Sequence, residues 1–395
     1  MLKASIARLL QFRFRVFPVL DWFVPKQRTL VLFAQGRGAF TDNSRAFFEY
    51  LTTGQEYFEA VWLTSTQAQR STILATVPGA RVVPCRSFQG YLLALRAKTV
   101  VLCHGVSDFN PYRLTSGRKC GLMLWHAISF KKTSIINRAW SDKQIEGYLK
   151  SSAQYITYMI ASSDVDRYAK SASHAIDVRR VIVTGLPRLD KVYKTADRRG
   201  LHALLGFGQD TKAILYAPTW QDRGKVDLFP LCDSNIAALN DFLIGVDAVL
   251  CIRPHRNDKD SVELITSWIE AGHDRVRLAD STLIEDISDY IREFTVVVTD
   301  HSSIYLDTLV LDMPVVFIAK GRIAFEAARG MLYDYELVTP GPKVDDFSGF
   351  LQELRSSLDG GVDFVDQRRW LKSLFHSYND GNASRRIAKH LKSVV

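Results

Sequence analysis

ILYAPTWQD at residues 214–222, CIRPHR at 251–256 and VVVTDHSSIYLD at 296–307 decide how this chain folds. Each is a run of Val, Ile, Leu or Cys that stops at a cluster of Pro, Thr, Arg, His, Asp and Ser. Near-continuous apolar runs are the pattern of parallel strands buried on both faces, and a polar cluster at the end of each places its side chains at the carboxyl edge of the sheet. That edge is where open α/β domains bind nucleotides.

Outward from these three stretches the same rhythm continues. KAILYAPTW (212–220), DAVLCIRPHR (247–256), RVRLAD (275–280), FTVVVTDHSS (294–303) and MPVVFIAKG (313–321) alternate with helical pieces such as SVELITSWIEAG, which builds one α/β domain. Upstream, TLVLFAQG (29–36), YFEAVWLTS (57–65), RVVPC (81–85), TVVLCHGV (99–106), CGLMLWHA (120–127), TYMIASS (157–163) and RRVIVTGLP (179–187) build another, with NSRAFFEYLTT and SFQGYLLALRA as helices between them. The charged stretch 190–210 interrupts the rhythm and reads as a linker or linker helix. The expected division is an amphipathic segment over 1–28, α/β domains over 29–195 and 196–375, and a C-terminal helix over 376–395.

Composition agrees with two ordinary cores. The chain has 395 residues, 47% of them apolar and 24% charged, more than one ordinary domain uses. Its five cysteines are scattered without CxxC spacing, which argues against a disulfide framework and a zinc site and fits a reducing compartment. A net charge of +9 asks for an anionic partner. Because 51 basic residues are interleaved with 42 acidic ones, no nucleic-acid stripe stands out.

The amino terminus, LKASIARLLQFRFRVFPVLDWFVPK, sets Ile6, Leu9, Leu10, Phe14 and Phe17 on one helical face among Lys3, Arg8, Arg13 and Arg15. The arginines break any apolar span of about 20 residues and no cleavage site follows, so the segment reads as an interfacial anchor or as a helix packed on its own core.

The strand ends carry the candidate chemistry. In TDHSSIYLDTLVL, hydroxyls and backbone N–H groups converge where a strand gives way to a helix, a setting for a diphosphate that ordinary N-capping would also produce. In RPHR, Pro254 disfavours helix at Arg253, and a guanidinium for phosphate stands beside an imidazole for proton transfer at His255. In the first half, LMLWHAISFKK brings His126 to a strand end ahead of Lys131 and Lys132. From there His126 would take the proton of an attacking hydroxyl, with His104 of LCHGV as its rival and a core role beside Trp125 as the alternative. No GxxxxGK[ST] loop is present and GFG at 206–208 does not extend to GxGxxG, so ATP hydrolysis and dinucleotide redox chemistry lose support.

Taken in order, WHAISFKK (125–132), GLPRLD (185–190), YAPTWQD (216–222), RPH (253–255), TDHSSIYLD (299–307) and ARGMLYDYELVTPGP (328–342) resemble the CDP-glycerol glycerophosphotransferases that build teichoic acids and related surface polymers. The resemblance implies a GT-B-like fold, two doubly wound Rossmann-like domains facing across a cleft, acceptor on the first and nucleotide donor on the second. It implies transfer of glycerol phosphate, or a related polyol phosphate, from the CDP-activated donor to a hydroxyl of a lipid-linked or polymeric glycan, with release of CMP.

His126 and His255 are the catalytic residues so implied. Arg188, Pro218, Thr219, Arg253, Pro254, Ser302, Ser303 and Asp307 fall in the donor pocket. Ala127, Ile128, Ser129 and Phe130 depart from the Gly-Thr-Pro-Leu usual after the Trp-His pair, which bears on the acceptor. His301 replaces a common aromatic residue.

Phosphoryl transfer needs positioning and charge neutralisation above all, so the expectation is a reaction with no cofactor and no metal. The expected location, from the basic surface and the amphipathic amino terminus, is peripheral, on the anionic cytoplasmic face of the cell membrane. A nucleotide-sugar glycosyltransferase of the same fold and a non-catalytic polymer-binding assembly protein are the competing readings.

Overall fold

The computed structural model describes residues 17–36, 39–53, 57–109, 112, 118–194, 200–219, 227–360 and 363–395. It divides into two compact units, one of Met1–His126, Thr133–Tyr193 and Asp380–Val395, the other of Ala127–Lys132 and Lys194–Asn379.

The first unit holds a seven-stranded parallel sheet. Its strands are β1 (Gln27–Phe33), β2 (Glu59–Thr64), β3 (Val82–Pro84), β4 (Ala97–Leu102), β5 (Cys120–Met123), β6 (Tyr158–Ala161) and β7 (Val181–Val183), in the order β3-β2-β1-β4-β5-β6-β7. The order reverses between β1 and β4, the switch point of a doubly wound sheet. Leu30 and Leu32 of β1 join Val61, Val100 and Met123 in one core layer. Phe33 points the other way, stacked on Trp62 at 5.8 Å and edge-on to Phe48 at 5.3 Å, as strand alternation requires.

The chain returns to this unit at its end. The helix Ala383–Val394 buries Ala383, Ile387, Ala388 and Leu391. Its first N–H groups, which have no partner inside the helix, donate to the Asp190 carboxylate from Ala383 at 2.8 Å and Ser384 at 2.9 Å.

The second unit repeats the plan with six parallel strands: β8 (Lys212–Ala217), β9 (Ala248–Ile252), β10 (Val276–Leu278), β11 (Phe294–Thr299), β12 (Val315–Ile318) and β13 (Lys343–Val344). The order is β10-β9-β8-β11-β12-β13, with the switch point between β8 and β11. All five residues of β9 are buried, so helices cover both faces. Ile214, Leu250, Ile252, Val296 and Val298 pack with Ile265 and Trp268 of one flanking helix and Phe350 and Leu354 of another. The two-residue β13, beside β12 at the sheet edge, lies in a stretch too short in apolar residues to read as a strand.

Of the amino-terminal segment, residues 1–16 lie outside the described ones. Residues 17–23 are helical: Phe17 enters the core of the first unit against Tyr91, with ring centroids 5.2 Å apart, while Trp22 and Phe23 are exposed. No helix among the described residues is long and apolar enough to cross a membrane.

Candidate active site

In the first unit the loops after β1 and β4 meet at the switch point around one carboxylate. Asp108 accepts backbone N–H bonds from Gly36 at 3.1 Å, Cys103 at 2.8 Å, His104 at 2.7 Å and Gly105 at 3.2 Å. Burial alone would raise its pKa, but hydrogen bonds from His104 and Gly36 with the charge of His104 outweigh it and hold Asp108 below the ordinary carboxylate value. His104 Nδ1 stands 3.7 Å from the same carboxylate. Its ring stacks on His126, which follows β5, with centroids 4.9 Å apart.

His126 keeps solvent access, yet its pKa lies well below the ordinary imidazole value. Desolvation by surrounding protein is the largest cause, and the positive charges of His104, Arg188 and Lys170 act the same way. The ring is therefore neutral near pH 7, with a lone pair for an incoming proton. Trp125 packs against it, ring centroids 4.5 Å apart. Arg188 is buried and donates from Nη1 to Asp42 at 2.8 Å. The structure thus groups Arg188 with His126 in the first unit.

In the second unit the three quoted strand ends lie on adjacent strands. Thr219 donates to Asp300 Oδ1 from its backbone N–H at 2.9 Å and its hydroxyl at 2.6 Å, tying the end of β8 to that of β11. Thr299 adds a hydroxyl bond to the Ala217 carbonyl at 2.7 Å, and the Arg253 N–H donates to the Tyr216 carbonyl at 2.8 Å, bringing in the end of β9. Pro218 and Pro254 are both buried where their strands stop.

The polar groups at this edge are not equally available. Arg253 Nη1 donates to the carbonyls of Ala279 and Ile284, both at 2.9 Å, so much of its fork braces the loop after β10. His255 is exposed, and its Nδ1 accepts from the Asn257 N–H at 3.3 Å, which puts the proton of the neutral ring on Nε2. Ser303 occupies the N-cap position of the short helix Ile304–Thr308, but its hydroxyl makes no capping bond. Ser302 and Ser303 are half-buried and Asp307 is buried on that helix. His301 is buried and stacks on Phe325 with centroids 4.4 Å apart. Trp220, Gln221 and Asp222 lie outside the described residues.

The profile of the CDP-Glycerol:Poly(glycerophosphate) glycerophosphotransferase family matches residues 16–393. The chain belongs to this family. It is a glycerophosphotransferase by that membership, and some of its relatives match it over nearly their whole length. The teichoic acid glycerol-phosphate transferase of Staphylococcus aureus (strain NCTC 8325 / PS 47) is 26% identical, over 98% of this chain and 99% of the relative. The teichoic acid glycerol-phosphate primase of Bacillus subtilis (strain 168) is 21% identical, over 95% and 94%. The solved structure of the wall teichoic acid polymerase TagF superposes with a TM-score of 0.77 at 19% identity, over 99% of this chain and 95% of that one, a likeness of fold.

In this glycerophosphotransferase the structure assembles two sets of residues, one in each unit. His126 and Arg188 form one, and Pro218, Thr219, Arg253, Pro254, His255, Ser302, Ser303 and Asp307 gather along the β9-β8-β11 edge. Sequence reading missed the supports: Asp108, Asp42 and Asn43 in the first unit, and Asp300 as the tie in the second. Asp300 lies inside TDHSSIYLD; Asn43 and Asp108 take partners far along the chain, Arg188 standing 145 residues from Asn43 and Gly36 72 from Asp108. Among the described residues no group of three or more His, Cys, Asp or Glu side chains is arranged to hold a metal ion.

Proposed function

We propose that this glycerophosphotransferase moves glycerol phosphate from CDP-glycerol to a hydroxyl of a lipid-linked or polymeric glycan acceptor, releasing CMP. The acceptor oxygen bonds to the phosphorus that carries glycerol, the bridging P–O bond of the diphosphate breaks, and that oxygen leaves with CMP. Neutral His126 takes the acceptor proton, and Nε2–H of His255 donates to the diphosphate as charge builds on the leaving group. Ser302 and Ser303 supply hydroxyl donors, Thr219 and Asp307 shape the same pocket, and Arg188 and the remaining donors of Arg253 neutralise phosphate charge.

The observation that carries this reading is the convergence of the β8, β9 and β11 ends, tied by Thr219, Asp300 and Arg253, at the switch point of a family member's second sheet. CMP release measured across CDP-glycerol, CDP-ribitol and nucleotide sugars tests it. Release from CDP-glycerol that depends on acceptor and is lost in His255→Ala is expected. Turnover of a nucleotide sugar instead would replace the reading with a glycosyltransferase, and acceptor binding without any turnover would replace it with an assembly protein.

Transfer without a bound metal is part of the proposal, because the phosphate charge meets guanidinium and hydroxyl groups. Full activity in EDTA is the expected result. The site of action we assign is an anionic membrane surface, where the lipid-linked acceptor lies. Trp22, Phe23 and Phe88, exposed on two helices of a chain of net charge +9, support that assignment.

A further inference from the structure

Trp125, the residue before His126, holds a backbone conformation that a bulky side chain rarely adopts, with φ of 51°. A residue held there needs surroundings that over-determine it. One restraint is Asn43, wholly buried at the start of the helix Asp42–Thr53. Its Nδ2 donates to the Trp125 carbonyl at 2.7 Å and to the Leu124 carbonyl at 3.4 Å. Its Oδ1 accepts the backbone N–H of Arg188 at 3.2 Å. The primary amide has two donors and one acceptor direction in use, and the isosteric carboxylate could not serve both sides.

The neighbour before it completes the arrangement. Asp42 also has a left-handed backbone, with φ of 66°. Its Oδ1 accepts the Asn43 N–H at 2.7 Å and the Arg188 guanidinium at 2.8 Å. Two adjacent residues therefore grip the loop that carries His126 and both the backbone and the side chain of Arg188. These positions lie 82 and 145 residues further along the chain.

We infer that Asn43 is a positioning residue of the transfer reaction: its side-chain amide fixes the loop bearing His126 against the loop bearing Arg188. The inference rests on the proposed roles of His126 and Arg188. The donor arm to Trp125 sets the base, so its loss acts on kcat. The acceptor arm to the Arg188 N–H sets the guanidinium, so its loss acts on KM for CDP-glycerol. Displacing a reacting group by about 1 Å costs on the order of 100-fold in rate.

The two arms separate by mutation. Asn43→Asp keeps the acceptor for Arg188 but turns the donor into an anion facing a carbonyl. On the alkaline plateau of the pH profile, where protonation of His126 plays no part, it should lower kcat about 10- to 100-fold and leave KM for CDP-glycerol within about 3-fold. Asn43→Ala removes both arms and should lower kcat and raise KM together. A residue that only holds the fold would lower the melting temperature of both variants with kcat per folded enzyme unchanged, which overturns the inference. So does failure of both variants to fold. His126→Ala, run alongside, separates the two levels. If it leaves kcat intact, the proposed role of His126 fails; if it removes activity while Asn43→Asp matches the parent enzyme, only the positioning role fails.

Discussion

His104 and His126 stack with their ring centroids 4.9 Å apart and their planes at 26°. Two imidazoles in that arrangement repel if both are protonated, and the Asp108 carboxylate, 3.7 Å from His104 Nδ1, places the compensating negative charge on the His104 side. His126 is the member of the pair left neutral, below its ordinary pKa through desolvation and the charges of His104, Arg188 and Lys170. A base with a lowered pKa stays active as pH falls through 6.5 and loses activity only further down. The acid limb of kcat/KM should therefore lie well below the usual imidazole value. His104→Ala should move that limb upward, and His126→Ala should cost about 100- to 10,000-fold in kcat. An acid limb at the ordinary value in the parent enzyme, unmoved by the His104 change, would refute the assignment.

On the donor side, the Ser303 hydroxyl at the N-cap position makes no capping bond, so its removal should leave the helix Ile304–Thr308 intact. Ser302→Ala and Ser303→Ala should each raise the dissociation constant for CDP-glycerol about 10-fold, the loss of one hydrogen bond to a charged phosphate. Calorimetric titration of the His255→Ala background, expected to hold the donor without turning it over, reads this directly. Unchanged affinity in the double variant would remove the serine pair from the donor pocket.

All the strands but the two-residue β13 were legible as apolar runs, and the structure puts the polar stops of ILYAPT, CIRPHR and VVVTDHSS on neighbouring strands. ILYAPT and VVVTDHSS read as separate strand ends, and Thr219 with Asp300 joins them. What stayed hidden has a common physical cause. Asn43 meets Trp125 and Arg188, and Asp108 meets Gly36, only after the crossovers bring distant loops to one edge, so spacing along the chain carries no trace of them. Arg253 was hidden differently: RPH marked its place but not that the carbonyls of Ala279 and Ile284 take part of its guanidinium. The sequence marked a C-terminal helix over 376–395, whereas its anchor, Asp190, lies 193 positions before Ala383.

The membrane assignment makes its own prediction. Trp22 is 55% exposed, Phe23 76% and Phe88 84%, and the Arg118 guanidinium sits 5.6 Å from the Trp22 ring centroid. Burying one such side chain in the interfacial region is worth about 1.5–3 kcal/mol, or roughly 10-fold or more in partitioning. Trp22→Ser, Phe23→Ser and Phe88→Ser should each weaken co-sedimentation with vesicles containing phosphatidylglycerol by about that factor, while turnover of a soluble acceptor stays constant. Added salt should weaken binding further. Equal sedimentation of the triple variant and the parent enzyme would place the membrane contact elsewhere.

Below Trp125 lies a buried histidine that predicts the acid stability of the first unit. His174 is 1% exposed, its Nδ1 is 2.6 Å from the Tyr148 hydroxyl, and the Trp125 ring meets it edge-on at 4.5 Å. Desolvation first, and the Lys170 charge second, lower its pKa from 6.5 to about 3, although Asp166 acts the other way. In the unfolded chain the same imidazole binds a proton below about pH 6.5. Folding therefore excludes a proton between these values, and the stability present above pH 6.5 is lost as pH falls toward 3. At about 1.4 kcal/mol per pH unit, the loss on going from pH 6.5 to 4.5 is about 2–3 kcal/mol. His174→Gln keeps a hydrogen-bonding partner for Tyr148 but does not titrate, so its stability should be flatter over this range by that amount. Urea unfolding of both proteins at pH 7, 5.5 and 4.5 measures the difference, and parallel pH dependence would show that His174 protonates as readily in the folded chain as in the unfolded one.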